Sequence, residues 1–195
     1  HKLLVANRSE IACRVFQGAF EMGVSTVAVY APGDEGARHV TYADEVAAIP
    51  SYLDVEAIIE VSRRLGVTMI HPGYGFLSER PHFAKAVEAA GIQFLGPLAE
   101  TMEAMGGKIA AKEIAEKIGV PTVPWAKLDL ANTSDSELKK AADKVGFPIL
   151  IKAHAGGGGK GMRRVYRFED LKEQAESAAR EALNSFGDGT LFFER

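Results

Sequence analysis

A run of four glycines flanked by two lysines is the part of the sequence whose residue types best suit chemistry. It lies in KAHAGGGGKGM, residues 152–162, directly after the apolar, strand-like segment FPILIKA. Residues without side chains let successive backbone N–H groups approach phosphate oxygens closely. With Lys152 and Lys160 as neighbouring cations, the pattern at Gly156–Gly159 favours a phosphate-binding loop.

Neither of two known phosphate-loop motifs explains this run. A Walker A loop needs glycine at position 154 and Ser or Thr at position 161, where the chain has His154 and Gly161. The dinucleotide pattern G-x-G-x-x-G is matched, but a helix must follow it, and here the strand-like MRRVYRF follows. The sequence therefore predicts a hairpin with a glycine tip, either a lid over phosphate groups or a flexible surface turn.

Two lysines are candidate phosphate ligands. Lys152 ends the strand-like PILIK on the same face as Leu150, and it either directs a half-buried cation at a phosphate or extends its ammonium group into water. Lys108 follows Gly106–Gly107 at a predicted helix start, where the helix dipole disfavours a cation. A bound anion would offset that cost, and the alternative is an ordinary exposed lysine.

The bulk composition is that of a globular protein. The chain has 195 residues and a formal net charge of −3, which gives no global attraction to nucleic acid or to an anionic membrane. No apolar stretch is long enough to cross a bilayer, and Cys13, the single cysteine, excludes an intrachain disulfide. Because the chain starts directly before one strand-like run and stops in another, we expect it to be part of a longer protein.

Apolar strand-like runs alternate with helical segments through residue 97. KLLVA, STVAVYA, DEVAAI, VTMIHPG and IQFLG are predicted strands, and Asn7 with Glu10 has the spacing of a capping box at the first helix. This alternation predicts a parallel sheet covered on both faces. Residues 98–123 are predicted as a helical linker, and residues 124–195 as a smaller unit that contains the hairpin, with helices at 134–145 and 169–185.

Five collinear segments resemble one family. ANRSEIACRV, HPGYGFLSE, FLGPLAETMEAMGGK, GVPTVPW and ILIKAHAGGGGKGMR occur in the order and spacing seen in biotin carboxylases, the component shared by acetyl-CoA, propionyl-CoA and pyruvate carboxylases. The resemblance implies an α/β fold: a Rossmann-like parallel-sheet domain at 1–97 and an ATP-grasp lid at 124–195. It also implies that the C-terminal catalytic subdomain of the family is absent from these residues.

The resemblance implies a ligase that uses ATP to convert bicarbonate into carboxyphosphate and then carboxylates biotin. The implied cofactors are ATP and Mg²⁺, with biotin as the substrate on a carrier protein. The implied partners are a biotin carboxyl carrier protein or domain, a carboxyltransferase and a second copy of the chain, with no nucleic acid and no membrane. The expected location is the cytoplasm, or the mitochondrial matrix in a eukaryote.

The resemblance also assigns site residues. It places Tyr74 and Gly75 on the biotin and bicarbonate side, whereas His71 before Pro72 is interpreted as structural. Catalytic residues and magnesium ligands are expected beyond Arg195, so the 195 residues alone are expected to be inactive and to bind ATP weakly or not at all. The residues assigned to ATP are Lys108, Lys152, Gly156, Gly157, Gly158, Gly159, Met162, Glu194 and Arg195.

The chain departs from the family's pattern at four positions. Ser9 stands where the family usually has glycine, and it is interpreted as harmless or helpful near a helix start. Gly107 replaces a usual aspartate, which removes a possible helix cap, and Ala155 shortens a usual run of five glycines. His154 replaces a small residue and either adds a phosphate contact or points to solvent.

Two other functions stay open from the residues. One is a different ATP-grasp ligase that activates bicarbonate or a carboxylate. The other is a non-catalytic module that binds nucleotide or serves in assembly. The collinear HPGYGFLSE and MGGK segments argue against the first, because general ATP-grasp similarity covers mainly the lid.

Overall fold

The computed structural model describes residues 1–128, 130, 133–154 and 162–195. The chain divides into two compact units, His1–Glu103 and Ala104–Arg195. Each unit has its own sheet and its own hydrophobic core. Within the described residues, no helix has the length and apolar character needed to span a membrane.

The first unit contains a five-stranded sheet in which every pair of neighbouring strands is parallel. The strand order is β3-β2-β1-β4-β5. β2 and β3 are therefore added on one side of β1, and β4 and β5 on its other side. The strands are β1 (Lys2–Val5), β2 (Ser25–Tyr30), β3 (Glu45–Ala48), β4 (Met69–His71) and β5 (Gln93–Phe94). The helices are α1 (Ser9–Glu21), a 3-10 turn (Arg38–Thr41), α2 (Val55–Arg64), α3 (Pro81–Ala89) and α4 (Ala99–Gly106), whose end lies in the second unit.

Both faces of this sheet are covered, as the sequence predicts. Leu3 and Val5 pack with Phe16 of α1 on one face, whereas Leu4 lies on the other face in a core that includes Phe83 of α3. Alternate residues of a strand point to opposite faces, so a strand in which both sets are buried must have a layer on each side. The parallel α/β fold of this unit is confirmed.

The second unit contains a four-stranded antiparallel sheet in the order β6-β9-β7-β8. Leu171 and Ala175 of one helix pack with Ile149 and Ile151 of the sheet in its main core. A smaller cluster joins Ile109 and Trp125 to Phe192. The elements are α5 (Lys108–Lys117), β6 (Trp125–Leu128), α6 (Asp135–Val145), β7 (Ile149–Ala153), β8 (Arg163–Val165), α7 (Phe168–Phe186) and β9 (Leu191–Glu194).

The predicted hairpin is present as an antiparallel pair, with Ile149 opposite Val165 and Ile151 opposite Arg163. The residues that would form its tip, 155–161, lie outside the described residues. The sequence interpretation missed β6, because the short run WAKL becomes a strand only through pairing with β9 far along the chain. The helix α3 begins at Pro81, a residue favoured at the first helical position.

Candidate functional site

Asn7 fixes a loop at the carboxyl edge of the parallel sheet. It follows β1, and its Nδ2 atom donates to Pro72 O at 2.9 Å and to Tyr74 O at 2.8 Å, in the loop after β4. The predicted capping box is therefore wrong: Asn7 precedes the N-cap residue Arg8, and its amide bonds a distant segment instead. The order in which strands are added to the sheet reverses between β1 and β4, and open α/β sheets bind ligands at such a point.

Gly73 is required by this contact. Its φ of +64° lies in the left-handed region, and a Cβ atom there would lie 2.6 Å from Asn7 Nδ2. The next residues are the two candidates on this side. Tyr74 has 59% of its surface exposed and its hydroxyl donates to the Glu10 carboxylate, while Gly75 has a φ of +67°. Both lie beside a shallow cavity of about 340 Å³ within this unit.

His71 contacts the turn that follows it. Its Nδ1 atom accepts a hydrogen bond from the backbone N–H of Gly73 at 2.9 Å. Burial lowers the pKa of the His71 imidazole, which favours the neutral ring that this bond needs. His71 therefore holds the turn that presents Tyr74.

A charged network beside this loop was missed from the sequence. Arg8 lies 2.8 Å from the Asp34 carboxylate, which also accepts a hydrogen bond from the buried Tyr52 hydroxyl at 2.8 Å. The bonds from Arg8 and Tyr52 lower the pKa of Asp34. Burial, followed by the bond to Asp34, raises the pKa of Tyr52 to about 12. The Tyr52 ring packs against Phe76 of the loop, so the network also contacts the loop through this ring.

In the second unit, Glu194 is buried between two lysines. Lys152 of β7 forms a salt bridge with one carboxylate oxygen, and Lys112 of α5 lies 3.0 Å from the other. Glu194 has only 9% of its surface exposed. Burial raises the pKa of its carboxyl group, but the hydrogen bonds from Lys152 and Lys112 outweigh burial, and the net pKa is below its usual value.

Lys108 is brought to the same end of β7. Its Nζ atom lies 3.5 Å from the carbonyl oxygens of Ala153 and His154, the residues that directly follow Lys152. Two candidates, Lys152 and Glu194, are therefore in contact, and a third, Lys108, lies at the strand end that follows Lys152. Lys112 was missed, although its spacing of four from Lys108 places both on one face of α5 and could have identified it.

The other candidates in this unit differ in how far the structure places them. Met162, directly before β8, is 42% exposed. Arg195 donates its backbone N–H to Pro124 O at 3.1 Å, and its guanidinium lies beside Gly146. Gly156–Gly159 lie outside the described residues. In the part of the chain that is described, no three His, Cys, Asp or Glu side chains cluster closely enough to hold a metal ion.

Comparison with protein families decides the relationship of the chain. The family profile "Biotin carboxylase, N-terminal domain" matches residues 1–102. The chain belongs to the biotin carboxylase family. A second profile, "Carbamoyl-phosphate synthase L chain, ATP binding domain", matches residues 107–195, the part that carries the lysine–glutamate cluster.

Curated relatives of this biotin carboxylase chain are longer carboxylases and carboxylase subunits. It is 50% identical to the mitochondrial methylcrotonoyl-CoA carboxylase subunit alpha of Dictyostelium discoideum, over 100% of this chain and 28% of the relative. It is 44% identical to the 2-oxoglutarate carboxylase small subunit of Hydrogenobacter thermophilus, over 100% of this chain and 42% of the relative. The chain thus spans less than half the length of these relatives.

Solved structures give the same relationship. The biotin carboxylase of Campylobacter jejuni, in a complex named β-γ-ATP, matches with a TM-score of 0.90 at 40% identity, over 100% of this chain and 44% of that one. The biotin carboxylase domain dimer of the Hydrogenobacter 2-oxoglutarate carboxylase, with MgADP, ADP and bicarbonate, matches with a TM-score of 0.86 at 44% identity, over 99% of this chain and 43% of that one.

Proposed function

We propose that this chain forms the N-terminal and ATP-lid parts of an enzyme that carboxylates biotin. ATP phosphorylates bicarbonate to carboxyphosphate, and biotin on a carrier protein accepts the carboxyl group. The observation that carries the proposal is the cluster at the end of β7, where Lys152 and Lys112 share the buried Glu194 and Lys108 reaches the same strand end. Solved relatives hold nucleotide and bicarbonate, which supports these ligands.

The cluster suits a polyphosphate because, among the described residues, Lys152 and Lys112 share the one carboxylate of Glu194. Lys108 and Lys152 are assigned to the phosphates, and Glu194 with Arg195 to the adenine side. When a phosphate draws Lys152 away from Glu194, Lys112 still neutralises that carboxylate, so no buried charge is left alone. Gly156, Gly157, Gly158, Gly159 and Met162 complete the proposed nucleotide contacts.

The loop after β4 is assigned to the biotin and bicarbonate side. Tyr74 presents an exposed aromatic ring, and Gly75 presents backbone with no described atom within 4 Å of a Cβ position. Asn7 and His71 hold both residues in place through the bonds described above. Tyr74 and Gly75 therefore form a fixed surface, which suits the positioning of a substrate rather than proton transfer.

The segments 1–97, 98–123 and 124–195 are proposed as the N-terminal domain, a helical linker and the ATP-grasp lid. The ATP of the reaction carries Mg²⁺, and its ligands are assigned to none of the described residues. The proposed partners are a biotin carboxyl carrier, a carboxyltransferase and a second copy of the chain. The proposed location is the cytoplasm, or the mitochondrial matrix in a eukaryote.

The final carboxyl acceptor varies among relatives that are equally similar to this chain. Relatives at 43–50% identity are named for methylcrotonoyl-CoA, propionyl-CoA, pyruvate and 2-oxoglutarate. Such different acceptors at such similar identity indicate that these residues serve the step before the acceptor is used. That step is the carboxylation of biotin.

The proposal is tested by ATP hydrolysis in the full-length natural protein. ADP release is expected only when biotin and bicarbonate are both present. Acetate in place of bicarbonate is the control, because a different carboxylate-activating ligase would hydrolyse ATP with it. Hydrolysis that bicarbonate does not change would overturn the proposal.

A further inference from the structure

The start of α5 lacks a side-chain cap of its own. Helices begin with backbone N–H groups that have no partner within the helix, and a side chain at the N-cap position usually accepts one of them. Here the N-cap residue is Gly107, which has no side chain. The N–H of Ile109, the second residue of the helix, donates instead to His154 Nδ1 at 3.4 Å.

The space beside Gly107 is occupied by the same imidazole. A Cβ atom at position 107 would lie 2.7 Å from His154 Cε1 and 3.0 Å from Nε2. The φ of Gly107 is −89°, a value that any residue adopts, so its backbone does not require glycine. A side chain at position 107 therefore requires the His154 imidazole to move from its place beside the helix start.

His154 also fixes the end of β7 to the sheet. Its backbone N–H donates to Thr190 O at 2.8 Å, directly before β9. Its carbonyl oxygen, with that of Ala153, lies 3.5 Å from Lys108 Nζ. One residue thus contacts the sheet, the first turn of α5 and the lysine that begins this helix.

We infer that His154 is a positioning residue: its imidazole caps α5 in place of the N-cap side chain that Gly107 lacks, and so holds Lys108 at the end of β7. The cap follows from contacts within this unit alone. Only the consequence for ATP rests on the proposed function, through the role assigned to Lys108. Direct contact between His154 and a phosphate is the competing account.

A double-mutant cycle tests the cap. Gly107→Asn adds a neutral N-cap side chain that clashes with the imidazole, and His154→Ala removes the imidazole. Each single variant is expected to lower the unfolding midpoint by about 2–4 °C, the size of one cap in a chain of this length. The double variant is expected to recover most of the lost unfolding midpoint. In it, the introduced asparagine side chain caps the helix in the space that the ring vacates. Additive losses would overturn the inference.

The chain contains its own probe for this cycle. Trp125, the single tryptophan, is buried against Ile109 of α5, so its fluorescence follows the unfolding of this region. The control is His82→Ala, which removes an exposed histidine from the first unit and is expected to leave the midpoint unchanged. If a single variant fails to fold, amide exchange of residues 107–111 in the full-length protein gives the same comparison. Faster exchange in His154→Ala and recovery in the pair are then expected.

The consequence for ATP is tested by kinetics in the full-length protein. His154→Ala is expected to raise the KM for ATP by about three- to tenfold, the size expected for one lost cap, with a smaller change in kcat. His154→Asn keeps an acceptor at the position of Nδ1 and is expected to retain most of the affinity. The Gly107→Asn, His154→Ala pair is also expected to restore KM, and a KM that stays high would favour direct phosphate contact over positioning.

The two proposals fail in different ways. Absence of biotin-dependent ATP hydrolysis in the wild-type protein would overturn the proposed function, while the unfolding cycle would still decide the cap. Recovery in the cycle with an unchanged KM in His154→Ala would confirm the cap and overturn the positioning of Lys108.

Discussion

The two candidate regions, the sheet edge of the first unit and the end of β7 in the second, differ in their balance of charge. At the sheet edge of the first unit, one cation faces one anion: Arg8 pairs with Asp34, and Tyr52 completes the carboxylate's hydrogen bonds. At the end of β7 in the second unit, Lys152 and Lys112 share the single carboxylate of Glu194. Among the described residues, the first arrangement is balanced, with one cation for one carboxylate, and the second has an excess of positive charge, with two cations on one carboxylate.

This difference separates support from binding. A balanced, hydrogen-bonded network gains nothing from an added ion, so the first unit holds the Tyr74 loop in one conformation. A partly buried excess of positive charge is stabilised by an anion, so the second unit suits phosphate. Substitutions should therefore change stability in the first region and nucleotide affinity in the second.

The largest expected effect is in the cation-rich region. Lys152→Gln in the full-length protein removes a charge-assisted contact of about 1.5–3 kcal/mol and is expected to raise the KM for ATP by about 10- to 100-fold. The measurement is steady-state ATP hydrolysis with biotin and bicarbonate. The control is Lys172→Gln, because Lys172 pairs with Asp135 where both side chains are largely exposed. A KM within twofold of wild type would contradict the assignment of Lys152.

Gly73→Ala should give the next largest effect, on stability. The added Cβ atom would lie 2.6 Å from Asn7 Nδ2, and the residue would have to keep a positive φ. We therefore expect a loss of about 2 kcal/mol in the free energy of unfolding. Gly66→Ala is a matched control, since its φ is +65° and no described atom lies within 4 Å of its Cβ position. Urea unfolding followed by circular dichroism measures both. Equal losses in the two variants would show that the Asn7 contact is unimportant.

Tyr52→Phe should lower the free energy of unfolding by less than Gly73→Ala does. Loss of the hydrogen bond to Asp34 is expected to lower the free energy of unfolding by about 1 kcal/mol at neutral pH. The pKa of Tyr52 is raised from 10.0 to about 12 in the fold, so its stabilisation is complete below pH 10 and is lost as pH rises towards 12.

The alkaline range gives this prediction a second measurement. Wild-type stability should fall between pH 10 and 12, and Tyr52→Phe should fall less steeply because it has no phenol to ionise. Tyr42→Phe serves as the control, since Tyr42 is 45% exposed and its hydroxyl accepts a hydrogen bond from the nearby Arg38. The same alkaline slope in wild type and Tyr52→Phe would contradict the role of this hydroxyl.

Much of the fold could be predicted because its signals are local. The β7–β8 hairpin is formed by neighbouring segments, and the strands of the parallel sheet stand out as apolar runs between helices. β6 was missed because its partner β9 is distant in sequence. Asn7 shows the same limit: its spacing to Glu10 satisfied a local motif, but acceptors at Pro72 and Tyr74 bind its amide instead.

In the candidate site, too, residues with a local signal could be predicted, and contacts between distant segments could not. Lys108 and Lys152 could be found because each stands next to a glycine pattern in the sequence. The spacing of Lys112 from Lys108 could have marked it as a candidate, but its salt bridge with Glu194 is visible only in the fold. Gly107 and His154 were recognised as separate departures, but their contact across 47 positions is visible only in the fold.

The smallest expected change in the free energy of unfolding is at Ser9, the first residue of α1. The interpretation of Ser9 as harmless or helpful near a helix start is wrong, because its φ is +56°, in the left-handed region that favours glycine. That conformation strains serine by about 1–2 kcal/mol, and the greater freedom of glycine in the unfolded chain offsets about 0.5–1 kcal/mol. Ser9→Gly is therefore expected to raise the free energy of unfolding by roughly 0.5 kcal/mol in urea, the net of those two effects. Ser9→Ala keeps the Cβ atom and should give no gain, whereas a gain equal to that of Ser9→Gly would show that backbone strain at this position is not the cause.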